Sequence, residues 1–94
     1  MIDHQTVEKI KDAANIVDVV SEFVTLKKSG SNYKGLCPFH NEKTPSFYVS
    51  PARGMAHCFG FGKGGNSVSF IMEHEQMTYV EALRWLANKY HIEI

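Results

Sequence analysis

The spacing of apolar residues changes twice along the chain, which separates two helical ends from a stranded middle. Near the start, Val7 and Ile10 lie three residues apart, as on one face of a helix. Asp3 precedes this segment and Asn15 precedes a second apolar run, and both residue types are preferred at helix N-caps. The pattern therefore predicts two short helices within residues 3–23.

In the middle of the chain, short apolar segments are separated by turn residues. Four of these segments are predicted as strands: 23–28, 32–36, 47–50 and 55–58. In the second strand, Tyr33 and Gly35 share one face, because side chains alternate along a strand. Lys34 and Leu36 share the other face. The segments together predict a small antiparallel sheet of four or five strands within a ribbon at 24–63.

Helical spacing returns in the last third of the chain. Asn66 is a candidate N-cap for a helix at about 67–75. Thr78 and Glu81 have the spacing of a capping box for a last helix that ends near residue 90. The apolar stripe of this last helix is expected to pack on the sheet and consists of Tyr79, Leu83, Leu86 and Tyr90.

The chain has 94 residues, a length at which one small core stabilises a domain only modestly and a bound metal often helps. No apolar run is long enough to span a membrane, and the first residues do not resemble a signal peptide. We therefore expect a cytoplasmic location, where thiols stay reduced. The predicted fold is a single α+β domain at 1–94, with helices at 3–23 and 66–91 flanking the ribbon.

Basic and acidic residues are segregated, although the formal net charge is zero. From Lys27 to Lys63 the chain has six basic residues and one acid, Glu42, which gives this part a charge of +5. The remaining residues include four basic and nine acidic ones and carry −5. A basic middle indicates a surface that binds a polyanion, with a merely solvated loop surface as the alternative.

Three residues of the middle part have the spacing of metal ligands. Cys37 and His40 are separated by two residues, and Cys58 follows a predicted hairpin. Tetrahedral zinc sites are usually built from two such ligand pairs, and zinc accepts both thiolate sulfur and imidazole nitrogen. The position at which a fourth ligand is expected holds Phe61, which has no donor atom.

The run CPFHNEKTPSF, followed by HCFG and the glycine-rich GKGGN, resembles the zinc-binding domain at the N-terminus of bacterial DNA primase. The resemblance extends from Ile10 through the C-terminal helix. The family pattern is Cys, His, Cys, Cys, whose first three positions match Cys37, His40 and Cys58, while the fourth falls on Phe61. The resemblance implies a zinc-ribbon fold that holds one zinc ion.

Phe61 leaves three interpretations of the metal site open. Zinc is held by Cys37, His40 and Cys58, with water or another side chain as the fourth ligand. His57 is the nearest such side chain, but as the strand neighbour of Cys58 it is expected on the opposite face. Alternatively, the metal is absent and the ring of Phe61 fills its place, or the two cysteines oxidise to a disulfide. A catalytic zinc is not favoured, because no acidic residue is placed to act as a base.

Basic and aromatic residues alternate in the ribbon, as in proteins that hold single strands by cations and by rings that stack on bases. The candidate nucleic-acid-binding residues are Lys34, Lys43, Tyr48, Arg53, His57 and Lys63. Phe47 and Phe59 are expected in the core instead, since a domain of this size needs about half of its aromatic residues there.

The resemblance also implies a function. In the primase family this domain binds the single-stranded DNA template and helps to select the site where RNA primer synthesis starts. A separate catalytic domain polymerises the ribonucleotides, and the replicative helicase is contacted through a further domain; neither is contained in this chain. We find no active-site motif here and favour a piece of a longer primase over a stand-alone homologue. The alternative function is a protein-interaction or structural ribbon that docks on the polymerase domain.

Overall fold

The computed structural model describes residues 2–38, 45–59 and 64–94, and the fold is given for these residues. Its helices are α1 (His4–Ala13), α2 (Ile16–Val20), α3 (Ser67–Glu75) and α4 (Tyr79–Lys89). Its strands are β1 (Lys27–Ser29), β2 (Asn32–Gly35), β3 (Phe47–Ser50), β4 (Met55–Cys58) and β5 (Gly64–Gly65). The predicted α+β class, a small antiparallel sheet with helices at both ends, is confirmed. Within the described ranges, no helix is both long and apolar enough to cross a membrane.

All four predicted N-caps are confirmed. In each case the capping side chain accepts a hydrogen bond from the backbone N–H three residues later, and the capping residues are Asp3, Asn15, Asn66 and Thr78. At α4 the capping box is complete, because the N–H of Thr78 also donates a hydrogen bond to the Glu81 carboxylate at 2.9 Å. This hydrogen bond lowers the pKa of Glu81. The starts of the helices are therefore fixed by local side-chain chemistry.

The strands follow one another in the order β1-β2-β3-β4-β5, and each pair of neighbours is antiparallel. One face of the sheet, the inner face, packs on the helices and includes Tyr33, Gly35, Phe47, Val49, Ala56 and Cys58. The other, the outer face, presents Lys27, Asn32, Lys34, Tyr48, Ser50, Met55 and His57. The predicted separation of Tyr33 and Gly35 from Lys34 and Leu36 is confirmed by this arrangement.

The first strand begins later than the sequence predicts, at Lys27 instead of Phe23. The backbone N–H of Phe23 donates to the carbonyl of Val20 at 3.0 Å and so prolongs the last turn of α2. Its ring lies 6.1 Å from that of Phe70 and 5.8 Å from that of Trp85. Packing among the helices therefore overrides the β propensity of this segment.

The core lies between the inner face of the sheet and the helices. Phe47 is fully buried, and its ring centroid is 5.9 Å from that of Phe70 in α3. The prediction that α4 packs on the sheet is wrong, since α4 packs on α3 and α1. Tyr79 is 46% exposed, and the buried residues of α4 are Ala82, Leu83, Leu86 and Ala87. Helical spacing identifies an apolar stripe but not the element that covers it.

Residues near the end of α4 are tied to the second helix and the turn after it. The hydroxyl of Tyr90 accepts from the Asn15 N–H at 3.1 Å and donates to the Asp18 carboxylate at 3.0 Å. Lys89 forms an ion pair with Glu22, and its ammonium nitrogen lies 3.7 Å from Asp18. The hydrogen bond to Glu22 raises the pKa of Lys89. These contacts tie the C-terminal end of α4 to α2 and the turn that follows it.

Close approach explains the two glycines of β5. A Cβ on Gly64 would lie 2.4 Å from the carbonyl oxygen of Ala56 in β4, which is closer than atoms can pack. Gly65 has a φ of +149° and lies so near α3 that a Cβ would be 2.6 Å from the Cβ of Ser69. Only glycine permits this positive φ without strain. β5 therefore closes the edge of the sheet at the point where the chain enters α3.

Candidate metal centre and nucleic-acid surface

The sheet topology brings both cysteines to the same end of the sheet. β2 and β4 both run antiparallel to β3, so the C-terminal ends of these two strands lie at the same end of the sheet. Cys58 is the last residue of β4, and Cys37 follows the end of β2 by two residues. Gly35, Phe47 and Cys58 stand in register across the three strands. The cysteines therefore lie on either side of the start of β3.

Both thiols belong to the inner face. Cys37 is 5% exposed and Cys58 is fully buried, whereas the intervening neighbour of Cys37, Leu36, is 49% exposed. Neither cysteine forms a disulfide in the structure. The hydroxyl oxygen of Ser46, the residue before β3, lies 3.8 Å from the sulfur of Cys58. The end of the sheet thus holds two buried thiols and a hydroxyl group that can donate a hydrogen bond to one of them.

The remaining metal-site positions, His40 and Phe61, lie outside the described residues, as do Lys43 and Lys63. Within ranges 2–38, 45–59 and 64–94, no three His, Cys, Asp or Glu side chains come together as metal ligands. His57 pairs regularly with Tyr48 in β3 and is exposed, while Cys58 is buried. The two side chains therefore lie on opposite faces, as expected, and no bulge brings the imidazole toward the thiols.

The described part of the site fits a structural zinc ion. Two reduced thiols, shielded from water and held at one end of the sheet by regular strands, are the donor type that structural zinc prefers. Cys37, Cys58 and, from the sequence pattern, His40 would hold the ion. Bound zinc would supply a cross-link between the ends of β2 and β4, which the hydrogen bonds to β3 already bring together.

Ser46 is expected to raise the zinc affinity of this site without binding the ion itself. When Cys58 binds a metal as a thiolate, it can only accept, so the Ser46 hydroxyl must be the donor. We expect Ser46→Ala to weaken zinc binding by roughly 10–100-fold, the usual effect of removing such a partner. Ser46→Thr, which retains the hydroxyl, should retain most of the affinity.

Competition with a chromogenic zinc chelator measures this effect, and the thiolate-to-metal absorption of the cobalt-loaded protein reports the Cys58 sulfur directly. Ser21→Ala, which removes an exposed hydroxyl after α2, is the matched control. Equal zinc affinity and an unchanged cobalt spectrum in Ser46→Ala would show that the hydroxyl does not act on the thiolate.

The outer face carries the described candidates for nucleic-acid binding. Lys34, Tyr48 and His57 lie directly opposite one another on three adjacent strands, and Lys27 extends the same row on β1. Arg53 is exposed in the turn between β3 and β4, where its backbone N–H donates to the Ser50 hydroxyl at 3.4 Å. The structure therefore brings four of the predicted side chains onto one side of the sheet or its adjoining turn.

The expectation that Phe59 belongs to the core is wrong, whereas Phe47 is buried as expected. Phe59 is 70% exposed and lies beside the outer face, with its ring 5.3 Å from Tyr48 and 4.6 Å from His57. Both contacts are edge-to-face. Strict alternation from Cys58, which faces inward, was the signal that could have placed the next residue outward.

A shallow depression of about 360 Å³ lies on the outer face beside this aromatic group. It is lined by polar and aromatic side chains, among them Asn32, Tyr48, Ser50, Arg53, His57 and Phe59. A second depression, on the β5 side, shares Arg53, His57 and Phe59 with the first. The side chains of His57 and Phe59 thus border two adjoining hollows.

Comparison with known sequences places these features in a family context. The CHC2 zinc finger model matches residues 2–94 of the chain. The DNA primase of Listeria monocytogenes is 50% identical over 93 residues, which is 99% of this chain and 15% of that protein. The DNA primase of Clostridium acetobutylicum is 49% identical over 94 residues, all of this chain and 16% of that protein. The chain thus spans less than a fifth of these curated relatives.

A solved structure gives the same result for the fold. The crystal structure of the Aquifex aeolicus primase, described as its zinc-binding and RNA polymerase domains, matches with a TM-score of 0.89 at 43% sequence identity. The match covers 95% of this chain and 22% of that one. The sheet with its flanking helices is therefore the fold of the zinc-binding part of that primase.

Proposed function

This chain belongs to the CHC2 zinc finger family, and we propose that it serves as the zinc-binding domain of a bacterial DNA primase and binds the single-stranded DNA template. In the same proposal, it contributes to the choice of the site where the RNA primer starts. The observation that carries the proposal is the outer face, on which basic and aromatic side chains stand in one row: Lys27, Lys34, Tyr48 and His57.

The charge of this surface suits a nucleic-acid backbone. Between residues 24 and 66, the described part of the chain contains Lys27, Lys28, Lys34 and Arg53 and no Asp or Glu. Lys27 and Lys34 are cross-strand partners on neighbouring strands, which lie about 4.8 Å apart in any sheet. Two cations this close attract the same phosphate together. A nucleic-acid strand that binds them releases its own condensed counterions, which makes the affinity salt-dependent.

We further propose that Cys37, His40 and Cys58 hold one zinc ion and that water completes its coordination, because Phe61 offers no donor. His57 is a poor substitute, since it lies on the outer face beside Tyr48 and Phe59. The ion has a structural role in this proposal. It fixes the ends of β2 and β4, the strands that carry Lys34 and His57 on the outer face.

The Aquifex structure, described as zinc-binding and RNA polymerase domains, supports one proposed partner, a catalytic domain of that kind, in which the polymerising activity would reside. The resemblance to primases implies a further partner, a replicative helicase, which other parts of a full-length primase would contact. The alternative function, a ribbon that only docks on the polymerase domain, gives no reason for rings and cations to share the solvent-facing side. Template binding accounts for both.

The test is the salt dependence of binding to a single-stranded oligodeoxynucleotide. We expect Lys34→Ala and Arg53→Ala each to weaken binding at low salt and to reduce the slope of log K against log salt by about 0.7, the contribution of one phosphate contact on a single strand. Fluorescence anisotropy over a salt series measures both quantities.

Lys9→Ala is the matched control, because it removes one positive charge from an exposed position on α1, away from the sheet. It should change neither the affinity nor the slope. Absence of salt-dependent binding by the unchanged protein would overturn the proposed function. An equal loss in Lys9→Ala would show that net charge, and not the outer face, is responsible.

A further inference from the structure

We propose that Phe59 is a stacking platform for one unpaired nucleobase and that the adjoining depression on the outer face receives the edge of that base. This inference rests on the proposed template binding and names the part of the ligand that the site recognises. It assigns a binding role to a residue that composition alone favours in the core.

Phe59 is 70% exposed, more than any other large apolar side chain in the described part of the chain. Its neighbour Cys58 is fully buried, so the chain at this point turns a phenyl ring outward while it turns a thiol inward. An apolar ring of this size gains free energy when it is covered, and a base provides a flat apolar surface.

The ring is also held in place. Phe59 makes perpendicular contacts with Tyr48 and His57, at centroid distances of 5.3 and 4.6 Å. Its backbone N–H donates to the carbonyl of Ser46 at 3.0 Å, which continues the pairing of β4 with β3 by one residue. A ring supported in this way loses little conformational entropy on binding, which favours its use as a platform.

The depression beside Phe59 has the chemistry to meet a base edge. Its polar lining includes Asn32, Ser50 and Arg53, whose amide, hydroxyl and guanidinium groups form hydrogen bonds with base edges in many complexes. Met55 adds an apolar part to the lining. A base that stacks on Phe59 would therefore find both hydrogen-bonding groups and apolar contact within the same hollow.

The positive charge beside Phe59 favours a nucleic acid as the source of the base. The need for an open base face favours a single strand over a duplex. Lys34 stands in the same cross-strand row as Tyr48 and His57, so a phosphate beside the platform would meet a cation. The bases of a duplex are stacked on each other and offer no free face. Only an unpaired, unstacked base can lie on the ring of Phe59.

The experiment compares two single-stranded probes of equal length and charge, an oligothymidylate and an abasic deoxyribose-phosphate oligomer, on the zinc-loaded chain. We expect the base-containing probe to bind roughly 5–100-fold more tightly, the effect of stacking one base. Phe59→Leu should remove most of this difference. It should leave the affinity for the abasic probe and the salt slope unchanged, because no cation is lost. Tyr79→Leu, at an exposed ring on α4, is the matched control and should change neither affinity.

The two proposals fail separately. Equal affinity of the unchanged protein for both probes, or a Phe59→Leu variant that keeps full preference for the base-containing probe, would overturn the platform while salt-dependent binding still supports the template function. Failure of the unchanged protein to bind either probe at low salt would overturn both proposals.

Discussion

Phe61→Cys is expected to tighten zinc binding more than any other single change in the chain. Structural zinc sites contribute about 10–16 kcal/mol through four ligands. One restored thiolate should therefore add on the order of 3 kcal/mol, or roughly a hundredfold in affinity. Because zinc binds only the folded chain, the same gain appears as stability when zinc is in excess. For a domain of this length the melting temperature should rise on the order of 10 °C.

Zinc titration against a competing chelator and thermal unfolding with and without zinc measure the two effects. Phe61→Ala is the matched control, since it removes the ring without adding a donor. It should leave the zinc affinity near that of the unchanged protein. If Phe61→Cys and Phe61→Ala have the same affinity and melting temperature, the site is either already complete through another donor or does not bind zinc.

Phe47→Ala is expected to cause the largest loss of stability. Phe47 is fully buried, stands in register between Gly35 and Cys58, and packs on Phe70 of α3. Removing a buried phenyl group leaves a cavity and typically costs about 3–5 kcal/mol. The free energy of unfolding of the zinc-loaded protein, taken from urea denaturation, measures the loss.

The chain contains its own control for this change. Phe59→Ala deletes the same atoms at a position that is 70% exposed, and surface substitutions usually change stability by less than about 0.5 kcal/mol. A similar loss in both variants would mean that Phe59 is packed in solution, in contradiction to its exposure here. A small loss in Phe47→Ala would place the core elsewhere.

Local signals predicted a large part of the fold. The four capping residues fixed the starts of the helices, because an N-cap depends on a side chain and a backbone N–H only three residues away. The hairpin at 47–58 was predicted to the residue, since Pro51 and Gly54 bound its turn and alternation defines its strands. Gly54 has a φ of +65°, which explains the choice of glycine there.

Features that depend on distant partners could not be predicted in the same way. The segment 23–26 has the composition of a strand, but the ring of Phe23 packs against Phe70 and Trp85, far away in the sequence. The stripe on α4 was found, yet spacing alone did not reveal that α3 and α1 cover it or that Tyr79 is left exposed.

The candidate site shows the same division. Ligand spacing singled out Cys37 and Cys58 as candidate zinc ligands. The topology explains why both lie at the same end of the sheet, since two strands that flank a third antiparallel strand end on the same side. Composition favours a buried Phe59, whereas alternation from the buried Cys58 places it outward, as the structure shows. The side of the sheet on which an aromatic residue lies is set by its register with neighbours and not by its hydrophobicity.

Cys58 and Phe59 are consecutive residues, yet one belongs to the buried side of the sheet and the other to the solvent side. A single peptide unit, about 3.8 Å from Cα to Cα, therefore separates the proposed zinc-binding thiol from the proposed base-stacking ring. On these two proposals, a rotation of this peptide unit when the ion binds or leaves would also reorient the phenyl ring. Metal binding and strand binding would then be coupled directly through the backbone of two consecutive residues.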